Sequence, residues 1–193
     1  MIKAKCGNAL IIGLGSIGNR HKEILRQLGV ETFGISRRPD ADFQYEDLSR
    51  AVEILEPNYI VVANESDQHS NVLENVLGMN YQGKILVEKP FLTNIQSARK
   101  LYPDNEFVGY NLRFHPVMKK LVGLLEGEEL VSAVIYVGQY LPDWRPEQDY
   151  KKSYSAFEEK GGGVLYDLSH EIDYAKWICG DCETLTAIGG QFS

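Results

Sequence analysis

The sequence is short of cysteine, of net positive charge and of long apolar runs, and each shortage excludes something. Only three of its 193 residues are cysteine: Cys6, Cys179 and Cys182. That number builds no disulfide framework, and Cys179-Gly180-Asp181-Cys182 has no second Cys or His pair to complete a zinc site. They read as plain thiols of a reducing cytoplasm. Acidic residues (27) outnumber basic ones (20), the net charge is −7, and no strongly basic stretch relieves it. A nucleic-acid partner is therefore not expected. No apolar stretch approaches the ~18 residues that span a bilayer, so no membrane association is expected. Residues 1–6 lack the apolar core of a signal peptide. What remains is 44% hydrophobic and 24% charged, the mix of an ordinary globular protein. The length suffices for one large or two small domains.

Hydrophobic periodicity supplies the fold class. Apolar runs over 9–12, 30–35, 59–63, 84–87 and 106–110 read as strands. Helical patterns over 15–28, 48–55, 69–77 and 93–101 lie between them. The run over 59–63 is continuously apolar, as in a parallel sheet covered on both faces. Strict alternation of strand and helix predicts an α/β fold, a Rossmann-type doubly wound parallel sheet, over 1–115. The rhythm changes after Pro116. A helix over 117–125, a long strand over 130–140, an aperiodic aromatic stretch over 141–160, a helix over 164–178 and a strand over 184–192 predict a partial α+β domain over 116–193.

The first strand is followed by Gly13-Leu14-Gly15-Ser16-Ile17-Gly18. Glycines at this spacing permit a tight bend and let a pyrophosphate approach the backbone at a helix N-terminus. Alone the pattern is weak, but its place between a strand and a helix is the context that confirms it. The second strand ends in Ser36-Arg37-Arg38 instead of an acidic residue. A carboxylate would bond a ribose 2′-hydroxyl and repel a 2′-phosphate, whereas Ser and Arg bind the phosphate. NADP is expected in preference to NAD.

Two clusters carry candidate chemistry. Glu88-Lys89-Pro90 closes the strand over 84–87, at the carboxyl end where open α/β sheets bind ligands. An ammonium there polarises a hydroxyl or donates a proton to a forming alkoxide. Gly161-Gly162-Gly163 leads into a helix on which Asp167, His170 and Asp173 are spaced i, i+3, i+6. A histidine is the usual acid/base group near neutral pH, and a carboxylate orients it. The bland alternative is a helix start with capping acids and a core histidine.

The set of motifs resembles the Gfo/Idh/MocA family of oxidoreductases along nearly the whole chain. Gly13 to Gly18 matches its dinucleotide turn, Asn64-Glu65-Ser66-Asp67-Gln68-His69 its post-strand loop beside the cofactor, and Glu88-Lys89-Pro90 its signature tripeptide. Gly109 to Pro116 matches its domain junction, and Gly161 to Asp173 its glycine-rich helix. The resemblance implies hydride transfer between a nicotinamide cofactor and a hydroxyl or keto carbon of a sugar, nucleotide sugar or cyclitol. Lys89 and His170 would be the acid/base pair, with Asp167 in support. Gly13, Gly15, Ser16, Ile17, Gly18, Ser36, Arg37, Arg38, Asn64, His69 and Glu88 would hold the cofactor. Asn111 and Arg113 would sit near the substrate, with Trp144, Arg145 and Tyr154 as further sugar-binding candidates alongside Lys89, Asp167 and His170. No metal is called for. The step from Asp167 to His170 is one residue shorter than is common in the family, which leaves open the residue that takes the proton. Family members are longer, and their second domain is a large open sheet that serves as an oligomer interface. A homo-oligomer is implied if that sheet is completed. A non-catalytic dinucleotide sensor and an inactive fragment remain the alternative readings.

Overall fold

The computed structural model describes residues 7–91, 93, 105–144, 146–147, 149–157 and 160–190. Five strands form one parallel sheet in the order β2-β1-β3-β4-β5. They are β1 (Asn8–Ile12), β2 (Glu31–Ile35), β3 (Tyr59–Val62), β4 (Lys84–Val87) and β5 (Glu106–Val108). Ile12 stands opposite Ile35 on one side and Val62 on the other, and Val62 stands opposite Val87. Helices α1 (Ser16–Gln27), α2 (Leu48–Leu55) and α3 (His69–Gly78) make the crossovers. Strand order reverses at β1, so the turns after β1 and β3 diverge and open a crevice at the carboxyl ends.

The sheet is covered on both faces, as its continuous apolar strands require. Leu10 and Ile12 point into a cluster with Ile35, Ile60, Val62 and Val87, closed by Leu48 and Ala51 of α2 and by Val72, Leu73 and Val76 of α3. Their neighbours Ala9 and Ile11 point the other way, into a cluster with Leu14, Val61 and Leu25 of α1. The period of two along a strand thus feeds two cores. Helix α1 ends where Gly29, at φ +82°, donates its N–H to the Arg26 carbonyl. A left-handed residue there satisfies a carbonyl the helix leaves open.

The chain packs as two compact units. The first comprises Met1–Gly109 and Gln139–Asp167, the second Tyr110–Gly138 and Leu168–Ser193. The second unit contains α4 (Pro116–Leu125) and α5 (His170–Cys179). Pro116 occupies the first turn of α4, and the Val117 N–H donates to His115 Nδ1 at its N-cap.

Three expectations differ from the structure. The segments 130–140 and 184–190 carry no regular secondary structure and form no strands, with Val131, Val134 and Ile188 93%, 94% and 99% exposed. Their composition suits a sheet, yet a strand is stabilised through its ladder, and no described residue pairs with them. The helix expected over 164–178 is interrupted. One turn (Val164–Asp167) gives way at Leu168 and Ser169, and α5 starts afresh at His170. Most of the helix expected over 93–101 lies outside the described residues, as do Cys6 and Arg145. Cys179 and Cys182 are exposed free thiols.

Candidate active site

The turn after β1 is built around two close approaches. Gly13 sits at φ +94°, and a Cβ on it would lie 2.5 to 2.6 Å from the backbone of Asn64 and the Ala63 carbonyl oxygen. A Cβ on Gly18 would collide with the Gly13 carbonyl oxygen. Gly15, the N-cap of α1, faces open space. No side chain caps α1, and its first turn carries no acid. An anion is the natural partner of such a terminus.

These groups border a cavity of about 330 Å³. It brings together Gly13, Gly15, Ser36, Arg37, Arg38 and Asn64 from the candidate cofactor set. Leu14, Tyr45 and Glu65 complete the lining. No motif marks Tyr45, because its position depends on how the turn before α2 folds back over β2. Among the described residues neither Arg37 nor Arg38 forms an ion pair. The Ser36 hydroxyl accepts from the Arg38 N–H at 3.2 Å. Asn64 donates through Nδ2 to the Tyr45 hydroxyl at 3.1 Å, while its Oδ1 is buried with no hydrogen-bond partner among the described residues. An open helix start, two unpaired guanidinium groups and an unsatisfied acceptor fit a phosphate-bearing dinucleotide. Ser16 and Ile17 lie on the first turn of α1, exposed, outside the cavity lining.

His69 has a different placement. It is 1% exposed and does not line the cavity. Its Nδ1 lies 3.0 Å from the Pro90 carbonyl oxygen and 3.3 Å from that of Phe91, and its Nε2 lies 3.3 Å from that of Asn64. Burial lowers its pKa, against the pull of these carbonyls and of Glu88. His69 ties the Asn64 loop to the chain beyond Lys89.

Lys89 emerges from the carboxyl end of β4, and the Lys89–Pro90 peptide bond is cis. Its Nζ donates to the Asp167 carbonyl oxygen at 2.6 Å. The interruption after Asp167 explains this bond, since an unbroken helix would commit that carbonyl to the N–H four residues on. Glu88 does not hold the lysine ammonium. Its Oε1 lies 2.7 Å from Nε2 of His21 on α1, and its Oε2 accepts from the Lys89 backbone N–H at 3.3 Å. His21 was missed in the sequence, although it falls one turn after Gly18 on the same helix.

Asp167 is buried, and its backbone, not its carboxylate, meets Lys89. A Cβ on Gly161 would lie 2.7 Å from Thr93 and 2.8 Å from Ser66, and one on Gly162 would strike the Tyr154 carbonyl oxygen. The close approach these glycines permit is therefore to the protein itself. Only Gly163, at φ +103°, faces open space. Trp144 and Tyr154 are half-buried in short helical turns.

In the second unit, His170 packs edge-on against Tyr110, with ring centroids 5.7 Å apart. Arg113 is taken up by Asp173 in a bidentate pair, 2.8 Å through Nε and 2.6 Å through Nη2, and lies over the Trp177 ring. That pair raises the Arg113 pKa, chiefly through its hydrogen bonds. Asn111, on the same 3-10 turn as Arg113, is exposed.

Comparison with known proteins bears on the family and the fold. An uncharacterized oxidoreductase of Streptococcus pneumoniae serotype 4 is 27% identical over 151 residues, 75% of this chain and 40% of its own length. Among solved structures, the WlbA (WbpB) dehydrogenase of Thermus thermophilus, in complex with NAD and UDP-GlcNAcA, superposes with a TM-score of 0.69 at 21% identity. The match covers 89% of this chain and 62% of that one. A levoglucosan dehydrogenase, in complex with NADH and levoglucosan, gives 0.70 at 18% identity over 90% of this chain and 54% of its own. The chain thus spans less than two thirds of each of these relatives. At these identities the solved structures speak for the fold alone. A model of the oxidoreductase family with an NAD-binding Rossmann fold matches residues 7–104. With that match over half of its length, laid on the parallel sheet and glycine turn just described, the chain belongs to the Gfo/Idh/MocA family of oxidoreductases.

Proposed function

We propose that the protein transfers a hydride between a nicotinamide dinucleotide, NADP in preference to NAD, and the CH–OH or keto carbon of a sugar or nucleotide sugar. The observation that carries this reading is Lys89. It leaves the same sheet edge that bears the dinucleotide cavity, and a backbone carbonyl aims its ammonium. Bound nicotinamide would supply the hydride chemistry. The glycine turn and the α1 N-terminus would hold the pyrophosphate, and Ser36, Arg37 and Arg38 a 2′-phosphate. Lys89 would move the hydroxyl proton, with His170 as the second acid/base group. This substrate class is chosen for testing because one structural neighbour holds UDP-GlcNAcA and another is a levoglucosan dehydrogenase.

The test compares wild type with Lys89→Met, a variant that keeps the apolar stem and loses the ammonium. Dinucleotide affinity is read by fluorescence titration, and turnover is read with NADP and NAD against UDP-sugar acids and anhydrosugars. The expected result is dinucleotide binding within about twofold and turnover lower by about 10²- to 10⁴-fold, the range of one acid/base group. Undiminished turnover would refute the role of Lys89. Tight binding without turnover in the wild type would favour a non-catalytic dinucleotide binder.

A further inference from the structure

We propose that Tyr45 is a positioning residue of the dinucleotide cavity with a divided role: its ring holds Arg37 for a 2′-phosphate, and its hydroxyl holds Asn64. The inference rests on the NADP reading above. Tyr45 opens the 3-10 turn before α2 and packs against the main core, so it is an anchored side chain. The Arg37 guanidinium carbon lies 5.3 Å from its ring centroid. Among the described residues no carboxylate pairs with Arg37. The aromatic face is thus what restrains a long, otherwise unfixed cation beside Ser36, while leaving its N–H donors for an anion. An acid in that place would neutralise the guanidinium, whereas a ring orients it without doing so.

The hydroxyl does separate work. Asn64 Nδ2 donates to it at 3.1 Å, and Asn64 Oδ1 is left buried with no partner among the described residues. A phenol both donates and accepts, so the amide heads could be exchanged without changing the outcome. One head is taken by Tyr45, and the other awaits a ligand hydroxyl, which can pair with either head. That contact serves a dinucleotide with or without the 2′-phosphate. Burial raises the Tyr45 pKa, which keeps the hydroxyl neutral, while Arg37 pulls against it and Glu65 adds to it.

The two roles separate in binding, with no substrate needed. Dissociation constants of NADPH and NADH are measured for wild type, Tyr45→Leu, Tyr45→Met, Tyr45→Phe, Arg37→Ala and the Arg37→Ala/Tyr45→Leu double variant, with thermal melting as a check on folding. Tyr45→Leu and Tyr45→Met should each lower the NADPH-over-NADH preference by about three- to tenfold, the value of a cation–π contact. Having both keeps the test independent of either one folding. Tyr45→Phe should keep the preference within about twofold and weaken both dinucleotides alike, by about two- to tenfold for one hydrogen bond. The double variant should discriminate no worse than Arg37→Ala, because the ring acts through Arg37. An NADPH-preferring wild type whose preference survives both ring deletions would overturn the role of Tyr45. An NADH-preferring wild type would overturn the NADP reading beneath it.

Discussion

Replacing His69 by phenylalanine keeps a buried ring of similar shape and removes both nitrogens. At neutral pH the imidazole carries one N–H for three facing carbonyl groups, those of Pro90 and Phe91 at Nδ1 and that of Asn64 at Nε2. The shorter distance, 3.0 Å to Pro90 against 3.3 Å to Asn64, assigns that proton to Nδ1. The substitution leaves the Pro90 carbonyl without its donor in a site where the residue is 1% exposed. An orphaned buried acceptor costs about 1–3 kcal/mol. Equilibrium urea unfolding at pH 7.5 should show a loss of that size, and His69→Gln, which retains a donor, a smaller one. The pH dependence decides between opposing causes. Burial depresses the folded pKa of His69, while the carbonyls and Glu88 push it up. With a folded pKa below the ordinary ~6.5, the unfolded chain takes the proton first as pH falls. The contribution of His69 is then intact above pH ~6.5 and fades below it. The wild-type advantage over His69→Phe should therefore shrink from pH 7.5 to pH 5.5. A phenylalanine variant as stable as wild type at pH 7.5 would refute the hydrogen-bond argument. An advantage that grows on acidification would show that a cationic ring, donating from both nitrogens to the facing carbonyls, is the native form.

Glu106 on β5 has both carboxylate oxygens buried without a partner among the described residues, and burial raises its pKa. A folded pKa above the ordinary carboxylate value means the folded chain binds the proton more tightly, so stability declines as pH rises through that interval. Glu106→Gln should therefore raise the urea midpoint at pH 7.5 and lose that benefit near pH 4; a destabilised variant at pH 7.5 would count against it. Gly18→Ala should abolish dinucleotide binding in a fluorescence titration and cost about 1–3 kcal/mol of stability, since its Cβ collides with the Gly13 carbonyl oxygen within the turn. Unchanged affinity would mean that the turn yields without harm.

Local signals carried much of the fold, and where they failed the cause was non-local. The strands at 9–12 and 59–63 were legible because burial on both faces leaves an uninterrupted apolar run, and the glycine turn because its spacing answers a backbone requirement. The segments 130–140 and 184–190 have equal strand character, but propensity does not supply a partner. The break after Asp167 was invisible, since Leu168 and Ser169 are compatible with a helix; the bond from the Lys89 ammonium to the Asp167 carbonyl spans 78 positions of sequence. In the site, Arg37 was legible from its place after a strand, and Asn64 from the family resemblance of its loop. Tyr45 and His21 were not, because each matters through a partner far along the chain.

Glu88-Lys89-Pro90 shows what such distant partners achieve. Each of its members is held by a different element of the first unit. His21 of α1 binds the Glu88 carboxylate at 2.7 Å, and Gly109 leaves room for that carboxylate, since a Cβ there would come within 3.0 to 3.1 Å of it. The Asp167 carbonyl takes the Lys89 ammonium, and His69 of α3 meets the Pro90 carbonyl. The other carboxylate oxygen of Glu88 accepts from the Lys89 N–H, so the backbone is fixed where the side chain departs. Both histidines sit on elements that shape the dinucleotide cavity: α1 begins at its glycine turn, and His69 also faces the Asn64 carbonyl. A proton-transferring group is effective only when held to a fraction of an ångström. The tripeptide is thus a junction that refers the position of the lysine to the elements that would hold a cofactor.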